Sequence, residues 1–530
     1  MMSIYQKRCG VVYFTVILSM FLIILRLFGI ALNPQYSVVT NNTATRNLTL
    51  GFERATIFDC NMQPITNSSK KFVGLITDIP KATVTLADYY TTEETSKILN
   101  EVKGGGAPLI YTDRDITGNG IICFPYTTHS QSIANHLIGY ADQSGHGVSG
   151  LEAAFDEILY SENKTTLSFS IDGHGNLIEG DSIRYNYDKT IEKNGIATTI
   201  DIDIQIIAEE VSKGLKQGAV VISEVETGEI KAIVSRPNFE LDRLGEAIKN
   251  PDSPLINRAF STYNVGSIFK PIIAAAAIEK GITNYLWFCE GHSNIDNQLF
   301  YCHKRDGHGW LDLNGAIKRS CNAFFYNLAV DVGATRIYSL AEKAGFNNAV
   351  SFGYKITTKK SNIGDLEKLS ISKRALANLA IGQGELMISP VGILTLYSAI
   401  ASDGSYYPLS LIKGEVKNGE ISEEYIKSEK IRIMSATTAQ KLRKALSCVL
   451  DEGGTGTTAR PQTISAAGKT STAQTGIIKD GQSVINSWFC GFFPLETPKY
   501  AVAVLSENSS KNCGNIFAEI ADRITQMEAM

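Results

Sequence analysis

The run from Val11 to Leu32 carries a single charge, Arg26, and no other feature constrains this chain's fold as strongly. As an α-helix rising about 1.5 Å per residue, it matches the hydrocarbon thickness of a bilayer. A segment this apolar belongs in lipid, so the chain beyond it must fold on one side of a membrane. Lys7 and Arg8 precede it, which predicts a cytoplasmic tail over residues 1–10 and an exported remainder. A cleaved signal peptide is the competing reading. The run is long for that, and Arg26 sits where it can snorkel to the outer interface, so an uncleaved anchor over residues 11–32 is favoured. The tail before it is too short to hold a signalling domain.

The rest of the 530 residues is enough for about two to four domains. With 44% hydrophobic and 20% charged residues the chain is a foldable globular one. A net charge of −4 gives no case for nucleic acid as a partner. The nine cysteines include no Cys-x-x-Cys pair, which argues against a zinc site or a thioredoxin-like motif. An odd count scattered over a long chain is not a disulfide framework, although Cys289 and Cys302 could bridge a local loop. Sequons at Asn41, Asn47, Asn67, Asn163 and Asn508 matter only in a source that glycosylates.

Residues 33 to about 50 are polar and read as a tether. From there to about 185, strand-like runs such as 55–58 and 72–76 alternate with helical stretches. Gly104-Gly105-Gly106 and Thr117-Gly118-Asn119-Gly120 are turn signals. Nothing there has the composition of a catalytic site. Gly147 to Glu152 reads as a turn entering a helix with Ala153, Ala154, Phe155 and Ile158, a packing element. From about residue 190 the texture changes. Residues 197–203 read as a strand, and the stretch to Leu215 as an amphipathic helix. Residues 218–223 and 230–234 read as strands around a turn at Thr227-Gly228. Together these suggest an antiparallel sheet with helices packed on it.

Gly266-Ser267-Ile268-Phe269-Lys270-Pro271 then opens an Ala-rich apolar run to Ile278. On a helix, positions three apart share a face, so the Ser267 hydroxyl and Lys270 amine can meet as nucleophile and base. A helix N-terminus favours an oxyanion forming beside Ser267. Pro271 is tolerable only if the helix has just begun. Ser-x-x-Lys also occurs at Ser68, Ser161, Ser370 and Ser410, but only the copy at Ser267 follows Gly and heads a long apolar run. Two elements follow it. Ser320-Cys321-Asn322 offers a hydroxyl to relay a proton and an amide to hold a substrate carbonyl. Lys469-Thr470-Ser471-Thr472 reads as a strand along a cleft. There Lys469 would suit a substrate carboxylate and disfavour protonation of Lys270, and Thr470 could hydrogen-bond that carboxylate. Ser-x-Asn and Lys-Thr pairs are commonplace alone, so the ordered set carries the specificity.

That set resembles the Ser-x-x-Lys, Ser-x-Asn, Lys-Thr-Gly signature of penicillin-binding proteins and serine β-lactamases. Asn257-Arg258-Ala259, Ile381 to Gly384 before Ser389-Pro390, and Gly147 to Glu152 also look like family segments. With the anchor, the resemblance points to a class B, monofunctional penicillin-binding protein. It implies an α/β transpeptidase fold over 189–530, an antiparallel sheet packed with helices. An elongated α+β pedestal or dimerisation domain over 33–188 would precede it. It also implies acylation of Ser267 by the penultimate D-Ala carbonyl of a peptidoglycan stem peptide, with Lys270 as base and Ser320, Asn322 and Lys469 assisting. Thr470, Ser471 and Thr472 would bind substrate, and the backbone amides of Ser267 and Thr472 would form the oxyanion hole. The implied partners are stem peptides, β-lactam antibiotics, the membrane and a wall-synthesis glycosyltransferase. No metal or organic cofactor is implied. Two positions depart from the pattern: Val265 stands where Pro is common, and Ser471 where the third motif has Gly. A D,D-carboxypeptidase or a β-lactamase would share the acylation, and a non-enzymatic scaffold is the rival from another class. No Glu-x-x-Leu-Asn segment between Asn322 and Lys469 matches the deacylating Glu of class A β-lactamases. Residues 33–185 lack the Glu-Asp-x-x-Phe signature of a glycosyltransferase.

Overall fold

The computed structural model describes residues 4–31, 45–103, 107–127, 133–171, 177–178, 183–425, 428–479 and 481–530. Residues 32–44, which take in most of the expected tether, and the Gly104 to Gly106 turn lie outside the described residues. Helix α1 spans Ile4–Ala31. Its stretch Cys9–Gly29 is long and apolar enough to cross a membrane, with a mean hydropathy of 2.5. The end of the expected tether is strand instead. Thr45–Phe52 pairs antiparallel with Lys164–Ser170, setting Leu48 opposite Leu167. A polar edge carried by alternating apolar residues reads as tether until its partner, more than a hundred residues away, is known.

The chain forms two compact units. The smaller comprises 1–53, 69–128 and 162–189, and the larger 54–68, 129–161 and 190–530. The larger unit thus takes in two stretches lying before position 189. In the smaller unit the strand Lys70–Ile76 lies between Leu109–Thr112 and Ile121–Thr127, all antiparallel. Helices Ile79–Ala87 and Thr92–Lys103 belong to the same unit.

The larger unit is built on a five-stranded antiparallel sheet of β1 (Gly218–Glu224), β2 (Ile230–Arg236), β3 (Ala467–Lys479), β4 (Gln482–Phe493) and β5 (Tyr500–Ser506), in the order β2-β1-β5-β4-β3. The first two strands form the predicted hairpin, turning through Gly228 at φ +74°. The strand expected over 197–203 ends early, at Thr198. Asp201 then caps the helix Ile202–Val211, its carboxylate accepting from the amides of Asp203 and Ile204. Helix α2 (Lys270–Glu279) is buried from Lys270 to Ala277. Its alanines let other elements close around it on every side, as a helix apolar all round requires. Beside it stands the wholly buried α4 (Pro390–Ala401), capped by Ser389. The Tyr397 hydroxyl of α4 donates to the Ile268 carbonyl at 3.1 Å. Between them in sequence lies α3 (Asn322–Val332), and α5 (Cys513–Glu528) follows the last strand.

Gly147 to Glu152 does more than pack. The short helix Gly150–Ala154 breaks at Phe155, and Glu152 is fully buried. Its Oε2 accepts from the Arg54 Nη2 and Nε at 2.6 and 3.0 Å, and Asp156 Oδ1 accepts from Arg54 Nη1 at 3.0 Å. Removing Glu152 leaves the buried Arg54 guanidinium to the partly exposed Asp156. Glu152→Ala is therefore expected to destabilise the larger unit by about 3–5 kcal/mol. A denaturant titration of wild type and variant measures this, and a loss below about 1 kcal/mol contradicts it.

Candidate active site

The turn that carries Ser267 forms because two backbones meet where no side chain could fit. Gly266 has φ +59°, and its amide donates to the Gly382 carbonyl at 3.0 Å. A Cβ on Gly382 would sit 2.0 Å from the Gly266 carbonyl oxygen. The family-like segment Ile381 to Gly384 thus supports the turn. Gly266–Phe269 is a single 3₁₀ turn running into α2, so Ser267 stands at the head of the helix as expected and Pro271 lies in its first turn.

The three motifs converge. A cleft of about 440 Å³ is lined by Ser267, Ser320, Asn322, Thr470, Ser471 and Thr472. Lys270 and Lys469 are absent from its lining. Both are fully buried. Lys270 Nζ donates to the Ser320 carbonyl at 2.7 Å, to Ser320 Oγ at 3.2 Å and to Asn322 Oδ1 at 2.7 Å. The amine also lies 5.3 Å from the centre of the Phe325 ring. Ser320 takes a left-handed φ of +54°, which points both its carbonyl and its hydroxyl at the lysine. Among the described residues, Ser267 Oγ has no hydrogen-bond partner. Burial pushes the Lys270 amine down to about 7, against the opposing charges of Cys321 and Cys302. Burial lowers Lys469 too, and the charge of Lys270 lowers it further. Lys469 Nζ donates to the Thr470 carbonyl at 3.1 Å.

Thr470, Ser471 and Thr472 lie on β3, whose pairing sets Lys469 opposite Cys490 and Thr472 opposite Ser487. Lys469 and Ser471 share its buried face, while Thr470 is half-buried and Thr472 exposed. The Ser471 hydroxyl accepts the Ser267 backbone N–H at 2.7 Å. It occupies the space left by the missing Cβ of Gly266, which would stand only 2.3 Å from Ser471 Oγ. So the residue that breaks the third motif engages one of the two amides expected to hold an oxyanion.

Sequence reasoning missed Thr455, His303, Trp488 and Asn512, which also line the cleft. Thr455 Oγ1 accepts from Thr470 Oγ1 at 2.9 Å. The surrounding Gly453-Gly454-Thr455-Gly456 run was a usable signal for a tight loop. The cysteines meet in a way their spacing did not show. Cys289, Cys302, His308 and Cys321 bring their ligand atoms within 4.8 Å of one another, a metal-binding composition that the lack of a Cys-x-x-Cys pair had argued against. All the cysteines are free thiols, so Cys289 and Cys302 form no bridge.

Comparison with known proteins gives the family. Residues 218–526 match the penicillin-binding protein transpeptidase domain. The chain belongs to that family. Stage V sporulation protein D of Bacillus subtilis is 28% identical over 403 residues, covering 71% of this chain and 59% of its own. The peptidoglycan D,D-transpeptidase MrdA of Acinetobacter baumannii is 26% identical, covering 70% of this chain and 58% of its own. The chain thus matches less than two thirds of the length of these relatives. The D,D-transpeptidase domain of a peptidoglycan glycosyltransferase from Eggerthella lenta superposes with a TM-score of 0.62 at 26% identity, over 77% of this chain and 93% of that one. Penicillin-binding protein 3 of Mycobacterium tuberculosis, solved with ampicillin, gives 0.66 at 22% identity over 92% and 97%, a likeness of fold. The resemblance read from the three motifs stands, and so does the antiparallel sheet packed with helices.

The Ser471 contact has a measurable consequence. If the Ser267 amide is to hold an acyl oxygen, that oxygen has to displace the Ser471 hydroxyl from it. Ser471→Gly is expected to raise the second-order rate of acylation by a penicillin up to about tenfold, or ~1.4 kcal/mol of barrier. A slower or unchanged variant contradicts this role.

Proposed function

We propose that this chain is a membrane-anchored serine D,D-transpeptidase that cross-links peptidoglycan stem peptides and is acylated by β-lactams. The observation carrying the proposal is the buried Lys270 amine, held by Ser320 and Asn322 beside the cleft that Ser267 lines. Ser267 Oγ attacks the carbonyl of the penultimate D-Ala while Lys270, neutral, takes the hydroxyl proton. The oxyanion lies against the amides of Ser267 and Thr472. As the C–N bond breaks, the proton passes through Ser320 to the leaving D-Ala amine. An amine from a neighbouring stem then attacks the ester, forming the cross-link and returning the proton to Ser267.

Asn322 Oδ1 fixes Lys270 in the free protein, and its amide is placed to hold a substrate carbonyl. The terminal carboxylate of the stem meets Thr470 and Thr472, with Lys469 behind them. In this reading residues 33–188 are the non-catalytic pedestal and 189–530 the transpeptidase domain. Helix α1 is the uncleaved single-pass anchor of a bacterial membrane protein with its catalytic domain outside. A glycosyltransferase supplies the glycan strands.

Purified full-length chain, given a D-Ala-D-Ala stem peptide and an acceptor amine, is expected to release D-Ala and form the cross-linked product. Release of D-Ala with only hydrolysed product indicates a carboxypeptidase, and no release at all indicates a scaffold. Fluorescent penicillin should label Ser267 alone. In Lys270→Arg, folded by circular dichroism, acylation should fall about 10²–10⁴-fold, because Arg cannot give up its proton. Labelling that persists in Ser267→Ala refutes the assignment.

A further inference from the structure

The loop joining β5 to α5, residues 507–512, also reaches the cleft. Ser510, Lys511 and Asn512 line it together with Ser487 and Thr472. Strand pairing decides which face the loop covers. Ser487 stands opposite Thr472 in the ladder of β3 and β4, and opposed side chains project to the same face. Ser487 Oγ donates to the Ser509 carbonyl at 2.9 Å, and the Lys511 N–H to Ser509 Oγ at 3.1 Å. Asn512 Nδ2 donates to Thr458 Oγ1 at 2.7 Å. The loop is thus tied to the face of β3 that carries Thr470 and Thr472. Lys469 and Ser471 point the other way.

Charge at the cleft is one-sided. Besides the imidazole of His303, Lys511 is the one basic side chain among the lining residues, and none is Asp or Glu. Lys511 is exposed, and its amine donates to the Gly214 carbonyl, a neutral partner. Burial raises the thiol of Cys513, which also lines the cleft, and the Lys511 charge opposes that rise. Lys270 and Lys469, the cations of the motifs, are fully buried and absent from the lining. Burial drives both toward their neutral forms. A carboxylate arriving on the open face of β3 therefore meets two threonine hydroxyls and the charge of Lys511.

We infer that Lys511 is a specificity-determining residue of this cleft, the cation that draws in and holds the carboxylate which Thr470 and Thr472 hydrogen-bond. That carboxylate is the terminus of a D-Ala-D-Ala peptide or the ring carboxylate of a penicillin. Naming the ligand rests on the transpeptidase reading, whereas selection for negative charge does not. No covalent bond forms or breaks. The amine exchanges the Gly214 carbonyl for the carboxylate, a charge-assisted bond in place of a weaker one. An exposed cation at a cleft mouth also attracts its ligand from a distance, an effect that salt screens.

The test is second-order acylation of full-length chain in detergent by benzylpenicillin, at about 0.01 M and about 1 M salt, where the screening length falls from about 30 to about 3 Å. At low salt Lys511→Gln should slow acylation about 3- to 10-fold and Lys511→Glu about 10- to 100-fold, through weaker binding before acylation. Lys511→Arg keeps the charge and should stay within about threefold of wild type. High salt should shrink every gap to about threefold or less. Gln can still donate to the Gly214 carbonyl, so a merely structural lysine would tolerate it at either salt. A Lys511→Glu chain that acylates at the wild-type rate at low salt overturns the role, as does Lys511→Arg losing as much as Lys511→Gln. Carbenicillin, which adds a carboxylate on the acyl side chain, locates the charge partner. Equal losses with both penicillins support the ring carboxylate, and a loss with carbenicillin alone overturns it in favour of a side-chain carboxylate of the stem. Ser267→Ala chain, titrated by NMR with a D-Ala-D-Ala peptide as free acid and as C-terminal amide, reads the selection without acylation. A preference for the acid that falls in the Lys511→Gln background supports Lys511 even where wild type never acylates, a result that refutes the transpeptidase reading instead. A preference untouched by Lys511→Gln overturns the inference.

Discussion

The larger unit depends on keeping one amine out of water. Lys270 begins a helix buried on all sides, and an unpaired buried ammonium is costly. The structure meets that cost partly by placing three oxygens around the amine and partly by lowering its proton affinity. Both responses need the rest of the fold. The oxygens come from a turn whose strained Ser320 has to be held from outside. The burial comes from α3 and the helices Ala334–Lys343 and Ala436–Ser447 packing around the alanines of α2. The lysines at the same spacing after Ser68, Ser161, Ser370 and Ser410 have no such enclosure: Lys71, Lys164 and Lys373 are exposed and Lys413 is half-buried.

The third motif meets the same enclosure from the other side. Strand β3 runs so close to the turn carrying Ser267 that a Cβ on Gly266 would stand 2.3 Å from Ser471 Oγ. The Ser471 hydroxyl settles onto the Ser267 amide. The site is thus self-satisfied when empty. The Ser267 backbone N–H already has a partner, and an oxygen that is to bind there has to compete with it.

Much of this was legible in the residues. The apolar helix from Cys9 to Gly29, the hairpin around Gly228, the Ala-rich helix and the strand carrying Lys469 follow from periodicity and turn chemistry. The convergence of the three motifs followed from their order and their resemblance to a family. What stayed hidden was long-range. Arg54 and Glu152 lie about a hundred residues apart, and no local pattern pairs them. The strand over 45–52 reads as tether because its partner begins at Lys164. The Cys₃His cluster lacked the short spacing by which zinc motifs are known, since its donors come from four segments joined only by the fold. Ser471 stood out as a departure, but its hydrogen bond to Ser267 depends on the folded chain bringing β3 against the Gly266 turn.

At the centre of the account is a Lys270 that carries no proton when Ser267 attacks. The direct measurement is the acylation rate of Ser267 by one penicillin as a function of pH. A lysine held near 7 by burial is neutral above that pH and charged below it. The rate should therefore be level in mild alkali and fall by about tenfold per pH unit below roughly 7, with a single ionisation. A rate that stays constant down to about pH 5 would contradict the account, because Lys270 would then be fully protonated and some other group would be taking the proton.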